Sequence, residues 1–133
     1  SWLVLLATSL VMGPGFALAC DVPAGWRDLV PEKPVVVTAS LHFDQARIVI
    51  GQPFTVSFAI CSETGEAVRS IEVDAVMPLH KHGMNYRPTL TRTGPFRYDA
   101  SNMVFHMPGD WRIQVLTHQG GSVHAFSFDL AVK

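Results

Sequence analysis

Two histidines one residue apart, His80 and His82, lie between Met77-Pro78-Leu79 and Gly83-Met84, and a second His-Met pair, His106-Met107, follows about twenty residues later. Imidazole with thioether sulfur is a soft donor set. It suits copper better than calcium or magnesium, which take oxygen ligands. On extended backbone, side chains two apart share a face and their Cα atoms stand about 7 Å apart. His80 and His82 can then converge on one ion. Gly83 permits a sharp turn that swings Met84 toward the same centre. His106 and Met107 stand just before a Pro108-Gly109 turn. In a sandwich of strands the ends of neighbours meet at one rim, so one strand pairing would gather His80, His82 and His106 with Met84 or Met107.

Zinc is the second metal such a set admits. Three imidazoles with an open fourth position form a zinc arrangement that becomes hydrolytic beside a suitable base. No acidic residue nearby is an obvious base. Packing is the competing use of the thioethers, because methionine fills gaps in cores. Met103, Phe105 and Met107 share one parity, and Met77 continues an apolar face, so Met77 and Met103 read as core. Met84, beside Gly83 in a polar stretch, is less easily explained that way. His42 and His118 carry no such arrangement, and His124 shares the parity of Phe126 and Phe128, as an interior residue would.

The chain has 133 residues with 10 basic and 11 acidic side chains, which is one domain's worth and gives no general pull toward nucleic acid or an anionic membrane. It contains no GxSxG elbow, no HExxH, no phosphate-cradling loop and no dinucleotide fingerprint. A copper oxygenase with a free N-terminal His has no support either, because the predicted mature end is Cys20. The reading is therefore non-catalytic, with no small-molecule substrate evident.

The elements that must position these residues begin after a distinct leader. Residues 1–19 lack any charge, are rich in Leu, Val and Ala, and end in Ala17-Leu18-Ala19, a small-x-small cleavage pattern. They are expected to be a signal peptide, leaving a periplasmic or extracellular domain. Anchoring through residues 1–19 competes with this, although the apolar run before Gly13 is short of the about 20 residues a spanning helix needs. Lipidation of Cys20 is a third option. Cys20 and Cys61 are the only cysteines, and in an oxidising compartment they are expected to form one disulfide.

Residues 20–34, with Pro23, Pro31 and Pro34, read as an irregular lead-in. From residue 35 to 133 short β-rich runs alternate with turns. Phe54, Val56, Phe58 and Ile60 alternate with Thr55, Ser57 and Ala59. Ile71, Val73 and Ala75 alternate with Glu72 and Asp74. Trp111, Ile113 and Val115 alternate with Arg112 and Gln114. Asp99–Asn102 reads as a polar turn between two short strands, Gly120-Gly121 as a hairpin, and Ser122–Val132 as the last strand. About seven to nine strands with turns every 8–12 residues predict a β-sandwich, with a small barrel as the alternative.

The ordered pair of motifs, Met77-Pro78-x-His80-x-His82-Gly83-Met84 and then Phe105-His106-Met107-Pro108-Gly109-x-Trp111, with Pro88 between, resembles the YtkA-like domain family, related to FixH proteins. The resemblance covers roughly residues 35–132. It implies an exported or membrane-tethered immunoglobulin-like β-sandwich of poorly defined role, with relatives often linked to copper handling or cytochrome oxidase assembly. Its matching positions are His80, His82, Met84, His106 and Met107. The expectation is an exported copper-binding accessory or carrier domain, served by a periplasmic or membrane metalloprotein partner. A structural or protein-interaction domain without metal is the alternative. There, Pro78, Gly83, Pro108 and Gly109 would serve turn geometry alone.

Overall fold

Alternation of apolar and polar residues puts one face of each strand inward, and two such faces must cover each other. The computed structural model describes residues 20–133; the predicted signal segment, residues 1–19, lies outside the described residues. Ten strands form: β1 Arg27–Asp28, β2 Val30–Pro31, β3 Val37–Phe43, β4 Phe54–Ser62, β5 Ser70–Met77, β6 His82–Gly83, β7 Thr89–Gly94, β8 Arg97–Met103, β9 Gly109–Gln119 and β10 Ser122–Val132. Seven of them are six residues or longer and three are two-residue edge pieces. They build two antiparallel five-stranded sheets, in the order β1-β3-β4-β8-β7 and β2-β10-β9-β5-β6. The chain crosses between sheets from β1 to β2 and back to β3, and then from β4 to β5, from β6 to β7 and from β8 to β9. This is the immunoglobulin-like order.

The inner faces meet in one core. Phe58, Ile60, Leu41 and Val56 come from the first sheet, and Ala75, Met77, Trp111, Ile113 and Val115 from the second; all are buried. The alternation read from β5 and β9 is the alternation observed, and in β4 it holds except at Ala59, which is buried as well. Met77 and Met103 are core residues, 1% and 0% exposed. Tyr98, also buried, donates its hydroxyl proton to the Val68 carbonyl at 2.9 Å, so the phenol enters the core without an unsatisfied group. Burial pushes its pKa up, partly offset by the nearby Arg92 guanidinium.

Cys20 and Cys61 form a disulfide across 41 residues. It ties the start of the lead-in to the end of β4. The lead-in is less irregular than its prolines suggest. β1 pairs with β3 in one sheet, β2 pairs with β10 in the other, and Leu29 between them is buried. Pro31 is tolerated because β2 is an edge strand, where a missing N–H breaks no ladder. Trp26 stacks on His42 at 5.6 Å, and the Arg97 guanidinium lies over Trp26 at 4.6 Å. Arg97 also donates to the Asp21 carbonyl. Residues 20–31 thus staple the two sheets together.

One local expectation is corrected. Asp99–Asn102 is not a turn but part of β8. Its polar side chains find strand partners, Ser57 donating to Asp99 at 2.8 Å and Asn102 to Thr89 at 3.3 Å. After Pro88 the next strand, β7, begins at Thr89. Residues 104–108 leave the strand after Met103, although Val104 and Phe105 stay buried. On the outer face of the second sheet, Arg112 and Asp129 make a two-point ion pair at 2.7 and 3.1 Å. That pair holds the Asp129 carboxyl below the usual carboxylate range.

Candidate metal centre at one end of the sandwich

The His-x-His segment lies on a tight hairpin. β5 ends at Met77, whose partner in register is His82, and Val76 faces Gly83. The His80 N–H donates to the Met77 carbonyl at 3.1 Å, closing a turn with Pro78 at its second position. Proline presets the backbone there. The chain returns through Lys81, which takes the left-handed conformation at φ 52°. A non-glycine residue in that region stores strain, which concentrates at functional and tightly turned sites. The sharp turn expected at Gly83 is therefore two residues earlier. Gly83 is ordinary strand, and a Cβ there would meet only the Ala75 carbonyl oxygen, at 3.8 Å.

His80 and His82 accordingly do not sit on one extended segment. His80 is the third residue of the turn and His82 the first residue after it, both exposed, with ring centres 6.5 Å apart and planes tilted by 33°. Two imidazoles sharing an ion at bonds of about 2.0–2.1 Å have centres about 5–6 Å apart. A small rotation of two exposed rings covers the difference. Leu79, at the same tip, is 81% exposed. With Pro78 and Asp110 it borders a shallow recess on the adjoining face.

His106 and Met107 lie on the loop between β8 and β9. β5 and β9 run antiparallel, with Val76 opposite Arg112, so this loop and the hairpin occupy the same end of the sandwich. The close approach is tangible at Gly109, where a Cβ would stand 2.6 Å from the Met77 methyl. Gly109 also has φ 136°, a region hostile to any side chain. Gly109→Ala is expected to cost about 1–3 kcal/mol by overpacking and strain, whereas Gly83→Ala should be neutral or stabilising by a few tenths. Urea midpoints of the two variants check this; equal losses would contradict it.

His106 is half-buried, edge-on to Trp111 at 5.5 Å. Its Nδ1 is buried without a hydrogen-bond partner. Buried ring nitrogens are normally paired, so this atom is an unexplained polar group near the hairpin. Met84 and Met107 are both half-buried and pack against the core. Met84 follows Gly83 down the sheet, its N–H bonded to the Ala75 carbonyl at 3.2 Å. It lines a groove of roughly 900 Å³ with Tyr86, Arg87, Arg112 and Gln114. That groove had no signal in the sequence, because its residues come from five separate segments and share no motif.

The pairing thus brings His106 and Met107 to the end that carries His80 and His82, which are close to each other, whereas Met84 runs down the sheet into the groove. Among the described residues, no group of three His, Cys, Asp or Glu side chains is arranged to hold a metal ion. Of the other histidines, His124 is half-buried and two have local partners. His42 is under Trp26, and His118 meets Glu72 at 2.7 Å.

Fold and site together define the class as an immunoglobulin-like β-sandwich with a histidine-tipped hairpin at one end. No family model matches the chain, and no curated protein matches it. Among solved structures it is similar to a DUF4785 family protein from Legionella pneumophila, at a TM-score of 0.54 and 10% identity. The likeness covers 74% of this chain and 29% of that one, so the chain spans under a third of the length of that protein. At such identity it shows the fold alone, and many functions share this sandwich.

Proposed function

We propose that this chain is an exported copper-binding accessory or carrier domain of the YtkA-like kind, without catalysis of its own. The observation that carries the reading is the pair of exposed imidazoles at one hairpin turn, His80 within it and His82 directly after it, with ring centres 6.5 Å apart. Supporting it, His106 with its unpartnered Nδ1 and Met107 lie at the same end. The disulfide suits an oxidising compartment, and no helix among the described residues is long and apolar enough to cross a membrane. Copper is favoured over zinc because a zinc site takes four ligands, commonly Cys or His, and the hairpin offers two. The partner would be a periplasmic or membrane metalloprotein.

A copper titration of the purified chain tests the reading. Wild type is expected to bind one ion, and His80→Ala/His82→Ala to bind none at the same concentration. Equal binding by the two would remove it.

A metal-free structural or interaction domain is the second reading. Its support is that both thioethers pack against the core and that Pro78 and Gly109 have clear backbone duties. It expects no metal on protein purified from copper-supplemented medium.

A further inference from the structure

We infer that the hairpin is a hand-over point for monovalent copper, with the ion's coordination completed by a donor from a second protein and not by this chain. The inference rests on the copper reading above and specifies how that site works.

Ligand number comes first. His80 and His82 approach each other, and among the described residues no third His, Cys, Asp or Glu joins a metal-holding group. Monovalent copper, a soft d¹⁰ ion, accepts two donors; zinc and divalent copper ask for four.

Charge points the same way. Both donors are neutral, and Lys81 stands between them in the chain, exposed. Repulsion from its ammonium scales with the ion's charge, so a divalent ion bears twice the penalty. Asp110, beside Pro78 and Leu79 in the recess, offsets part of that repulsion but does not join the histidines as a ligand group.

Access is the third argument. The histidines are exposed at a projecting tip, whereas Met84 and Met107, the thioethers that would complete the sphere from within, are half-buried against the core. An ion held by two imidazoles at the surface is open to an incoming thioether, thiolate or imidazole. One copper–sulfur or copper–nitrogen bond forms as one copper–imidazole bond breaks. The oxidation state does not change and no co-reactant is needed.

The test uses the whole chain loaded anaerobically with Cu(I), with affinity measured against a chromophoric chelator and the ligand shell read by X-ray absorption. Two nitrogen scatterers and no sulfur are expected. Adding N-acetylmethionine as a stand-in for the partner's donor should bring a sulfur scatterer into the shell. His80→Ala or His82→Ala should lower Cu(I) affinity by at least about 100-fold, since even outer-shell losses cost 10–100-fold. Met84→Leu and Met107→Leu should leave it within about threefold, under 1 kcal/mol. Sulfur in the protein-only shell, or a loss beyond about tenfold in either Met variant, a full 1.4 kcal/mol, would overturn the hand-over geometry and leave copper binding standing. Absence of Cu(I) binding by wild type would overturn both.

Discussion

Trp111→Ala is expected to remove about 3–5 kcal/mol of stability, a large share of the about 5–15 kcal/mol a domain of this kind possesses. The indole is 1% exposed at the centre of the core. It stacks on Phe105 with ring centres 4.6 Å apart, and the edge of His106 meets it at 5.5 Å. Its Nε1–H donates to the Met107 carbonyl at 2.9 Å. Truncation would open a cavity between the sheets and leave that carbonyl without its donor. Trp111→Phe keeps most of the packing and loses the hydrogen bond, so it should cost about 1–2 kcal/mol. Urea unfolding monitored by circular dichroism measures both. A loss below about 1 kcal/mol for Trp111→Ala would mean the site collapses around the cavity, contrary to the dense packing expected of such a core. Because the indole holds the Met107 carbonyl and the His106 ring, the Phe variant should also loosen the loop that faces the hairpin.

Reduction of Cys20–Cys61, or the paired Ser substitution, is expected to cost about 2–4 kcal/mol. The bond closes a stretch of 41 residues, and most of its effect falls on the unfolded chain, whose freedom it restricts. A local consequence should come with the global one. Residues 20–31 hold both sheets through β1 and β2, Leu29, and the Arg97–Trp26–His42 stack. Without the covalent end this segment is the first expected to open, because each of its strands has only two residues. Hydrogen exchange should show lost protection in residues 26–31 before β9 and β10 respond. Unchanged protection there, with an unchanged urea midpoint, would contradict the staple.

Much of this fold was legible because strand chemistry is local. Ile71, Val73 and Ala75 against Glu72 and Asp74 declare a half-buried strand whatever surrounds them, and Gly120-Gly121 declares the hairpin that joins β9 to β10. The lead-in was misjudged because Pro23, Pro31 and Pro34 argue against pairing, and only the neighbouring edges of β3 and β10 decide that two residues at a time can pair. Asp99–Asn102 was misjudged because polar residues signal turns unless strands on both sides supply partners, as Ser57 and Thr89 do. At the candidate site, the residue types suggested a soft donor set, and the strand order brought His106 and Met107 to the end that carries His80 and His82. The turn falls two residues before Gly83, since glycine is the usual left-handed residue but Lys81 holds that position instead.

What the amino-acid order determined by itself was the class: period-two alternation, two cysteines that pair, and a His/Met composition that proposes copper. Three-dimensional packing decided which donors are available. Whether a thioether faces an ion or the core depends on the strand opposite it, and that strand lies far away in sequence. Met84 and Met107 pack against the core while His80 and His82 remain outside, because a hairpin tip has no opposite sheet to bury them.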